Sequence, residues 1–396
     1  MKTSALPGTR AEPHRAAPSA IMHVISGLKV GGAEMALLRL IVASRGHGYT
    51  HNVVALDSEG AMRERFLEAG IPLTCFDFKR SPVREFVRLV ALIRRQRPDI
   101  VQTWLYHADF FGGLAARLAG VRRVMWGIHS VEIRNVGSPI TNYVRRVNAL
   151  LSRWVPRTIV SVATTARESH IEVGYDASRF VVIPNGFDID QIRFDPERRR
   201  QRREHLGLLP HEHVIGWVGR FNAAKDCGTF LDAAGRVRRH APNARFVMVG
   251  RDLVPENAEL MNMAERAGVA DRLLLCGEQR DVSDYLVAFD SFCMSSATEA
   301  FPLVLGEAMC MSLPCVATDV GDARVLLGDT GTLVPSRDPD RLADALLQML
   351  TLPEPERRSL GERARERVSA RFSLDATRTL YEAQYEHLMQ HHGETI

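Results

Sequence analysis

The strongest constraint on the fold is an alternation that the sequence goes through twice. Short apolar runs bounded by turn residues alternate with longer stretches of helical period, first over residues 21–183 and again over residues 213–318. Such alternation is typical of βα units, in which helices connect parallel strands. The predicted strands are 21–26, 52–56, 73–76, 100–103, 123–127, 158–161 and 180–183 in the first half, and 213–219, 245–250, 272–276, 291–295 and 314–318 in the second.

Helices are predicted between these strands, where apolar residues recur every three or four positions. In the stretch 83–96, the apolar face consists of Val83, Phe86, Val87, Val90 and Ile93. The other predicted helices are 34–44, 108–118, 227–239, 258–267, 282–288 and 304–311. The fold class is therefore α/β, with two Rossmann-like domains whose parallel sheets share a cleft.

The domain boundaries follow from the breaks in this alternation. Pro184, Asn185 and Gly186 close the first series, and the arginine-dense stretch 193–203 after them has no strand pattern. The start of the chain is rich in Ala, Pro and Arg, which is typical of a disordered tail. The predicted parts are a tail at 1–20, a first domain at 21–190, a linker at 191–210, a second domain at 211–372 and a helix at 373–396 that returns to the first domain.

Length and composition exclude several classes of protein. The 396 residues exceed the ~250–300 residues at which one core stops growing, which favours two domains. No apolar run approaches the ~20 residues that a membrane-spanning helix needs. The six cysteines form no CxxC pair and suit buried reduced thiols rather than zinc ligands or disulfides. We therefore expect a cytoplasmic protein without a membrane span.

The charge is unevenly distributed between the two halves. Residues 1–195 contain 26 Lys and Arg against 17 Asp and Glu, a net charge of +9, and the rest of the chain has a net charge of −5. The first half therefore favours an anionic partner, for which lipid headgroups and a phosphorylated acceptor are candidates. Neither half is basic enough to indicate a dedicated nucleic-acid-binding protein, and no nucleic-acid partner is predicted.

Two stretches have features that suit a phosphate ligand. Gly31 and Gly32 follow the first strand and open a helix, where backbone N–H groups can approach a phosphate, although a tight turn without a ligand has the same pattern. Arg220 follows a strand that ends in glycine, and Lys225 is the only lysine of the second domain. Two cations at the carboxyl end of a strand suit a diphosphate; the alternative is a solvated pair in a loop.

Two glutamates eight positions apart form a further candidate pair. Glu299 precedes Pro302 and is predicted to lie in a loop, whereas Glu307 is predicted to lie one turn into a helix, so both could face one ligand. Taken alone, they could equally be ordinary surface charges.

The Asp188-Ile189-Asp190 sequence superficially resembles a DxD metal motif. After Pro-Asn-Gly, however, an aspartate that caps a short helix is the better interpretation.

The combination of these motifs resembles the retaining nucleotide-sugar glycosyltransferases of family four, of the bacterial capsular and exopolysaccharide type, which have the GT-B fold. The matching residues are Gly31-Gly32, His129, 183–188, 218–220 with Lys225, 249–250, 276–277, 281–282, 295–296, Glu299, 307–309, 313–321 and 331–335. The sequence departs from the family pattern at two places. Ala300 and Ser312 stand where the family has glycine, and each added Cβ is expected to narrow the space beside the donor.

The resemblance implies a role for each site residue. Arg220 and Lys225 hold the diphosphate of the donor, Glu307 holds the ribose hydroxyls, and Glu299 holds the transferred sugar. His129 reaches this sugar from the first domain, where the Gly31 and Gly32 amides also approach the diphosphate. These fixed cations and amides then stabilise the negative charge that develops on the leaving diphosphate, so neither a metal nor another cofactor is expected.

The predicted function is retaining transfer of a sugar from a nucleotide-diphosphate sugar to a saccharide, expected to be lipid-linked, in cell-surface polysaccharide biosynthesis. One predicted helix has four arginines, Arg84, Arg88, Arg94 and Arg95. They could bind the anionic inner face of a membrane, although a charged helix face is often simply solvated. Two alternatives are a non-hydrolysing nucleotide-sugar epimerase, which needs no acceptor, and a catalytically silent nucleotide-sugar-binding protein.

Overall fold

The computed structural model describes residues 18–131 and 139–390. The strands of the first sheet are β1 (Ser19–Ile25), β2 (Tyr49–Ala55), β3 (Leu73–Cys75), β4 (Ile100–Trp104), β5 (Val124–Ile128), β6 (Thr158–Ser161) and β7 (Phe180–Val182). In the described residues they form one parallel sheet in the order β3-β2-β1-β4-β5-β6-β7. Most of the predicted tail lies outside the described residues, but at its end Ser19 already pairs with Tyr49 in the sheet.

Six helices of the described residues accompany this sheet. They are α1 (Gly32–Ala43), α2 (Met62–Glu68), α3 (Pro82–Gln96), α4 (Tyr106–Leu118), α5 (Pro139–Leu151) and α6 (Thr164–Glu172). Helix α4 packs against both α3 and α5, which places these three helices side by side. The predicted apolar face of α3 was wrong in part. Val83 and Val87 are exposed, because the helix is turned so that Leu89, Leu92 and Ile93 are the buried side chains.

The predicted linker contains a helix, α7 (Pro196–His205). Asp195 caps this helix by accepting a hydrogen bond from the backbone N–H of Arg198. Arg199 and Arg203 both form ion pairs with Asp290, so α7 is fixed to the second domain. The arginines that mark a polar linker in the sequence therefore hold a helix in place.

The second sheet repeats the architecture of the first. Its strands are β8 (His213–Val218), β9 (Ala244–Val249), β10 (Leu273–Leu275), β11 (Ser291–Met294), β12 (Cys315–Thr318) and β13 (Thr332–Val334). They are parallel, in the order β10-β9-β8-β11-β12-β13. The helices are α8 (Cys227–His240), α9 (Ala258–Ala267), α10 (Ser283–Leu286), α11 (Leu303–Cys310), α12 (Ala323–Leu327) and α13 (Pro339–Thr351). Strand order reverses at β1/β4 and at β8/β11, where ligands of open α/β sheets bind.

Two helices complete the described chain, α14 (Glu354–Arg371) and α15 (Leu374–Gln390). The chain crosses between the domains at Phe187, whose N–H donates to the Phe372 carbonyl and whose carbonyl accepts from Leu374. Helix α15 then packs against α1, and the Tyr385 hydroxyl donates to Oε1 of Gln102 at 2.6 Å. The end of the chain therefore contributes to the core of the first domain.

A second contact between the domains lies at Asp322, next to α12. Its carboxylate accepts hydrogen bonds from the backbone N–H groups of Thr164 and Thr165 at 2.7 and 3.1 Å, and from the Thr165 hydroxyl at 3.0 Å. An aspartate of the second domain thus satisfies the free N–H groups at the start of α6 in the first domain. In the described residues, no helix is long and apolar enough to span a membrane.

Candidate functional site

A cleft of about 1190 Å³ lies between the loops at the carboxyl ends of the two sheets. Residues that line the cleft follow β1 and β5 in the first domain and β8, β9, β10 and β11 in the second. All seven residues predicted for the site line it: Gly31, Gly32, His129, Arg220, Lys225, Glu299 and Glu307. The cleft is large enough for a ligand of nucleotide-sugar size.

Lys225 and Glu299 form an ion pair at the second-domain side of the cleft. The Lys225 ammonium lies 2.5 Å from Oε1 of Glu299, and the Ser296 hydroxyl donates to the same oxygen at 2.7 Å. The loop that carries Glu299 passes close to Gly321, whose φ is +57°. A Cβ at Gly321 would lie 2.3 Å from the Glu299 carbonyl oxygen, so only glycine fits there. This packing fixes the cation and the carboxylate as one unit.

Arg220 lies two residues after the end of β8, where the backbone that follows β9 comes close to the backbone that follows β8. Gly250 has a φ of +146°, and a Cβ there would lie 1.8 Å from the Gly219 carbonyl oxygen. Arg251, on the neighbouring strand end, forms an ion pair with Glu278 at 2.7 Å. Its hydrogen bonds, and the charge of Arg220, hold the pKa of Glu278 below its usual range. Arg220 itself forms no ion pair among the described residues, so its charge is available to a ligand.

Glu307 reaches across the cleft to the first domain. One of its oxygens accepts a hydrogen bond from the guanidinium of Arg39, at 2.9 Å, while Glu307 lies on α11 and Arg39 on α1. Only Oε1 takes part in this hydrogen bond. The carboxylate is therefore held at the cleft wall with its other oxygen available to a ligand.

The start of α1 brings Gly31 and Gly32 to the opposite wall. A Cβ at Gly32 would lie 3.3 Å from Leu303 of the second domain, which shows how closely the domains approach here. Glu34 folds back over Gly31, since a Cβ at Gly31 would lie 2.5 Å from Oε2 of Glu34. Burial raises the pKa of Glu34, and a hydrogen bond from its own backbone N–H and the charge of Arg220 oppose this rise. The N-terminus of α1 thus already faces a carboxylate.

His129 follows β5 directly and lines the cleft from the first domain. Burial of the imidazole lowers its pKa to about 3, so the ring is neutral at neutral pH. Among the described residues, neither ring nitrogen has a hydrogen-bond partner. Both nitrogens are buried, and the neutral imidazole has one donor and one acceptor to which no described residue bonds.

Comparison with known proteins identifies the family. The family model described as "Glycosyltransferase Family 4" matches residues 30–191, and that described as "Glycosyl transferases group 1" matches residues 212–352. The D-inositol 3-phosphate glycosyltransferase of Segniliparus rotundus is 30% identical, over 83% of this chain and 72% of that protein. The chain belongs to glycosyltransferase family four.

A second relative of this glycosyltransferase is the UDP-Gal:alpha-D-GlcNAc-diphosphoundecaprenol alpha-1,3-galactosyltransferase of Escherichia coli. It is 27% identical, over 70% of this chain and 73% of that protein. Among solved structures, HepE of Anabaena in complex with UDP and glucose has a TM-score of 0.83 at 22% identity, over 93% of this chain and all of that one. WaaG, a glycosyltransferase involved in lipopolysaccharide biosynthesis, has a TM-score of 0.69 at 17% identity, over 92% and 98%. The fold is thus GT-B, as predicted.

The two departures from the family-four pattern lie in different surroundings. Ala300 lines the cleft, next to Glu299. Ser312 follows α11, outside the cleft lining, and has a left-handed φ of +57°. Its carbonyl oxygen would lie 1.9 Å from a Cβ at Gly361. The prediction that both added Cβ atoms narrow the space beside the donor was therefore wrong for Ser312. The family has glycine at this position because the backbone there is left-handed.

Asp188 and Asp190 of the glycosyltransferase also line the cleft. Oδ1 of Asp188 accepts a hydrogen bond from the Gln191 backbone N–H at 3.0 Å, so Asp188 closes a turn rather than capping a helix as predicted. In residues 18–131 and 139–390, no three His, Cys, Asp or Glu side chains are grouped as a metal site would require.

The charged residues of the glycosyltransferase cleft or its wall that the sequence analysis missed include Glu34, Arg39 and Glu278. A signal existed for Arg39, because residues seven positions apart on a helix share a face and Gly32 lies seven positions earlier. No comparable signal marks Glu278, which is three residues beyond β10. Its place in the cleft depends on the pairing of β10 with β9.

Proposed function

We propose that this enzyme transfers a hexosyl group, with retention of configuration and without a divalent metal, from a nucleotide-diphosphate sugar. The observation that carries the proposal is the arrangement of charges across the cleft. Arg220 and the Lys225–Glu299 pair occupy the carboxyl end of the second sheet, opposite Gly32 and His129 of the first. Arg220 and Lys225 bind the diphosphate, which takes the place of the Glu34 carboxylate at the amides that start α1, and they stabilise its charge as it leaves.

The contacts of the two glutamates support a division of roles. Glu299 forms an ion pair with Lys225. A donor whose diphosphate binds to Lys225 therefore places its sugar beside the Glu299 carboxylate. Glu307 keeps an oxygen available for the ribose hydroxyls. His129, as a neutral imidazole, donates to or accepts from a sugar hydroxyl from the other domain.

Retention is supported by the weak basicity of the two groups that we place beside the transferred sugar, His129 and Glu299. An imidazole with a pKa of about 3 is too weak a base to remove a proton from an acceptor hydroxyl. Glu299 is neutralised by Lys225, which makes it a poor nucleophile. We therefore propose that the departing diphosphate oxygen takes the proton of the acceptor hydroxyl. Attack then occurs on the face from which the diphosphate leaves.

The acceptor that we propose is a lipid-linked saccharide, in cell-surface polysaccharide biosynthesis. The Escherichia coli relative is named for a diphosphoundecaprenol-linked acceptor. HepE is described with UDP, UDP-glucose and glucose, which makes a UDP-sugar the first donor to test. An acceptor of this class requires the enzyme to work at the inner face of a membrane.

The outer surface of α3 and α5 supports such a location. Six large apolar side chains on or beside these helices are exposed: Val83, Val87, Ile140, Tyr143, Leu150 and Trp154. Six arginines on or beside the same helices are also exposed: Arg84, Arg88, Arg94, Arg95, Arg146 and Arg153. The acidic residues of α3 and α4, Glu85 and Asp109, are buried, Glu85 in an ion pair with Arg88 at 2.8 Å, and α5 has none. We propose that this apolar and cationic face lies on an anionic bilayer.

Product analysis tests the enzymatic proposal. The enzyme is incubated with UDP-galactose or UDP-glucose and with a polyprenyl-diphosphate-linked N-acetylglucosamine, and the products are separated and analysed by NMR. We expect UDP and an extended saccharide with the anomeric configuration of the donor. An inverted product would overturn retention. Conversion of the nucleotide sugar into an epimer without acceptor would replace the transferase proposal with the epimerase alternative.

A further inference from the structure

The turn between β4 and α4, residues 104–106, has a backbone conformation that is unusual for its sequence. Leu105 has φ +74° and ψ 158°, a region that is essentially restricted to glycine. The Leu105 N–H donates to the carbonyl of Gly127, in the strand that leads to His129. A strained leucine at the switch point of the sheet has to be maintained by its neighbours, and such strain occurs preferentially at functional sites.

On one side of this turn, Trp104 supports His129. The indole and the imidazole are stacked, with centroids 4.7 Å apart and ring planes 23° apart. Because His129 has no hydrogen-bond partner among the described residues, ring packing is what sets its orientation. The Trp104 indole is fully buried and packs against one face of the imidazole.

Trp104 is itself fixed from two directions. Its indole N–H donates to Nδ1 of His23 at 3.2 Å, so the proton of the neutral His23 is on Nε2, which donates to Nδ1 of His51 at 2.9 Å. The Tyr381 ring of α15 is stacked with the indole, with centroids 6.2 Å apart. The C-terminal helix therefore contacts the residue on which His129 rests.

On the other side of the turn, Tyr106 holds Ser130, the residue after His129. Nδ1 of His170 lies 2.6 Å from the Ala166 carbonyl and must donate to it, so Nε2 accepts from the Tyr106 hydroxyl at 2.8 Å. The Tyr106 oxygen then accepts from the Ser130 hydroxyl at 3.0 Å. Residues on both sides of the strained Leu105 thus contact the 129–130 pair.

We propose that Trp104 and Tyr106 are positioning residues, which hold His129 and Ser130 in the orientation needed for sugar transfer. The proposal rests on the function proposed above and deepens it. The two side chains that flank the strained Leu105 contact neighbouring residues, since one stacks with the imidazole and the other bonds to the adjacent serine. Misplacement of His129 is expected to slow transfer without affecting nucleotide binding, because Arg220, Lys225 and Glu307 lie in the other domain.

A double-mutant cycle tests whether Trp104 acts through His129. UDP release from UDP-galactose and UDP-glucose is measured for Trp104→Leu, His129→Ala and the double variant, with the acceptor given above. We expect Trp104→Leu to lower kcat by ~10–10²-fold with unchanged affinity for UDP, and to have no further effect in the His129→Ala background. Trp104→Phe, which keeps an aromatic ring under the imidazole, should recover most of this loss. Additive losses in the cycle would overturn the proposal.

Two controls separate positioning from folding. Phe66→Leu removes another fully buried aromatic ring of the same domain, on α2 and outside the cleft lining, and should lower stability but not kcat. Tyr106→Phe removes the hydrogen bonds of the Tyr106 hydroxyl and keeps the aromatic ring. This variant tests the positioning role if Trp104→Leu does not fold. We expect it to lower kcat at constant UDP affinity; an unchanged kcat would contradict the proposal.

One measurement is independent of any donor. NMR titration of the His129 imidazole should show a pKa of about 3 in the wild-type chain and a higher value in Trp104→Leu, because water reaches the ring. An unchanged titration would contradict the positioning role. If the wild-type chain releases no UDP from either sugar nucleotide, the choice of donor and function fails, while the titration still decides whether Trp104 controls His129.

Discussion

Arg39 and Glu307 are 268 positions apart in the sequence and 2.9 Å apart in the cleft. Each belongs to a different domain, and their ion pair joins α1 to α11 at the wall where we propose that the ribose binds. Since the two side chains are about one-fifth exposed, the contribution of the pair to stability is modest. Its more important effect is to orient the Glu307 carboxylate.

The two glutamates are expected to differ in their effect on nucleotide affinity. Glu307→Gln should weaken the binding of UDP by ~10–10²-fold, because it removes a charged hydrogen-bond acceptor for the ribose. Glu299→Gln should leave UDP affinity nearly unchanged and lower kcat. Calorimetric titration with UDP, alongside transfer rates, makes the comparison. Equal losses of UDP affinity in both variants would mean that the assigned roles are wrong.

Replacement of Lys225 should impair catalysis rather than folding. Lys225→Ala removes one fixed cation from the leaving diphosphate and is expected to lower kcat by ~10²–10³-fold. Lys79→Ala is a matched control, since Lys79 also lies 2.5 Å from a carboxylate, that of Asp57, but outside the cleft lining. The control should keep wild-type kcat. A folded Lys225→Ala variant with normal kcat would place the diphosphate elsewhere.

Turnover of the donor should not depend on a divalent metal. Arg220 and Lys225 provide the positive charge that a metal supplies in other transferases. Treatment with a chelator, followed by removal of the chelator, should leave the rate of UDP release unchanged. Activity that is lost in this treatment and restored by manganese or magnesium would refute the metal-independent mechanism.

The cap that Asp322 provides to α6 should couple stability to domain closure. Asp322→Ala is expected to cost about 1–2 kcal/mol, the usual range for an N-cap, and also to open the cleft. Asp338→Ala removes a cap within the second domain, where Asp338 accepts from the Arg341 N–H, and is the matched control. Small-angle X-ray scattering should show a larger radius of gyration only for Asp322→Ala. Identical scattering of both variants would argue against a closing role.

The face formed by α3 and α5 should bind anionic membranes. Leu150→Asp is expected to reduce flotation with phosphatidylglycerol vesicles, because it places an acidic residue in an apolar and cationic surface. Leu380→Asp introduces the same change on α15, where Leu380 is also exposed, and should have no effect. Phosphatidylcholine vesicles provide the neutral control. Equal flotation of both variants, or no preference for anionic vesicles, would refute the proposed surface.

Much of the fold could be predicted from the sequence, because βα units leave local signals. The apolar runs at 100–103 and 291–295 correspond closely to β4 and β11. Candidate residues such as Gly31 and Arg220 could be assigned to one cleft, since parallel strands bring the loops at their carboxyl ends together. The three-residue β13 was missed, although β3, β7 and β10 are equally short and were predicted. Helix α7 was missed because its surface is almost entirely charged.

The sequence alone determined the α/β class, the two domains and seven of the residues at the cleft. The tertiary structure decided which of these residues meet across it. Arg39 pairs with Glu307, Asp322 caps α6, and Trp104 lies under His129. Each contact joins separate elements and depends on how the domains and strands pack. Helical period and strand alternation record only which side of an element is apolar, so no local pattern in the sequence specifies such a partner.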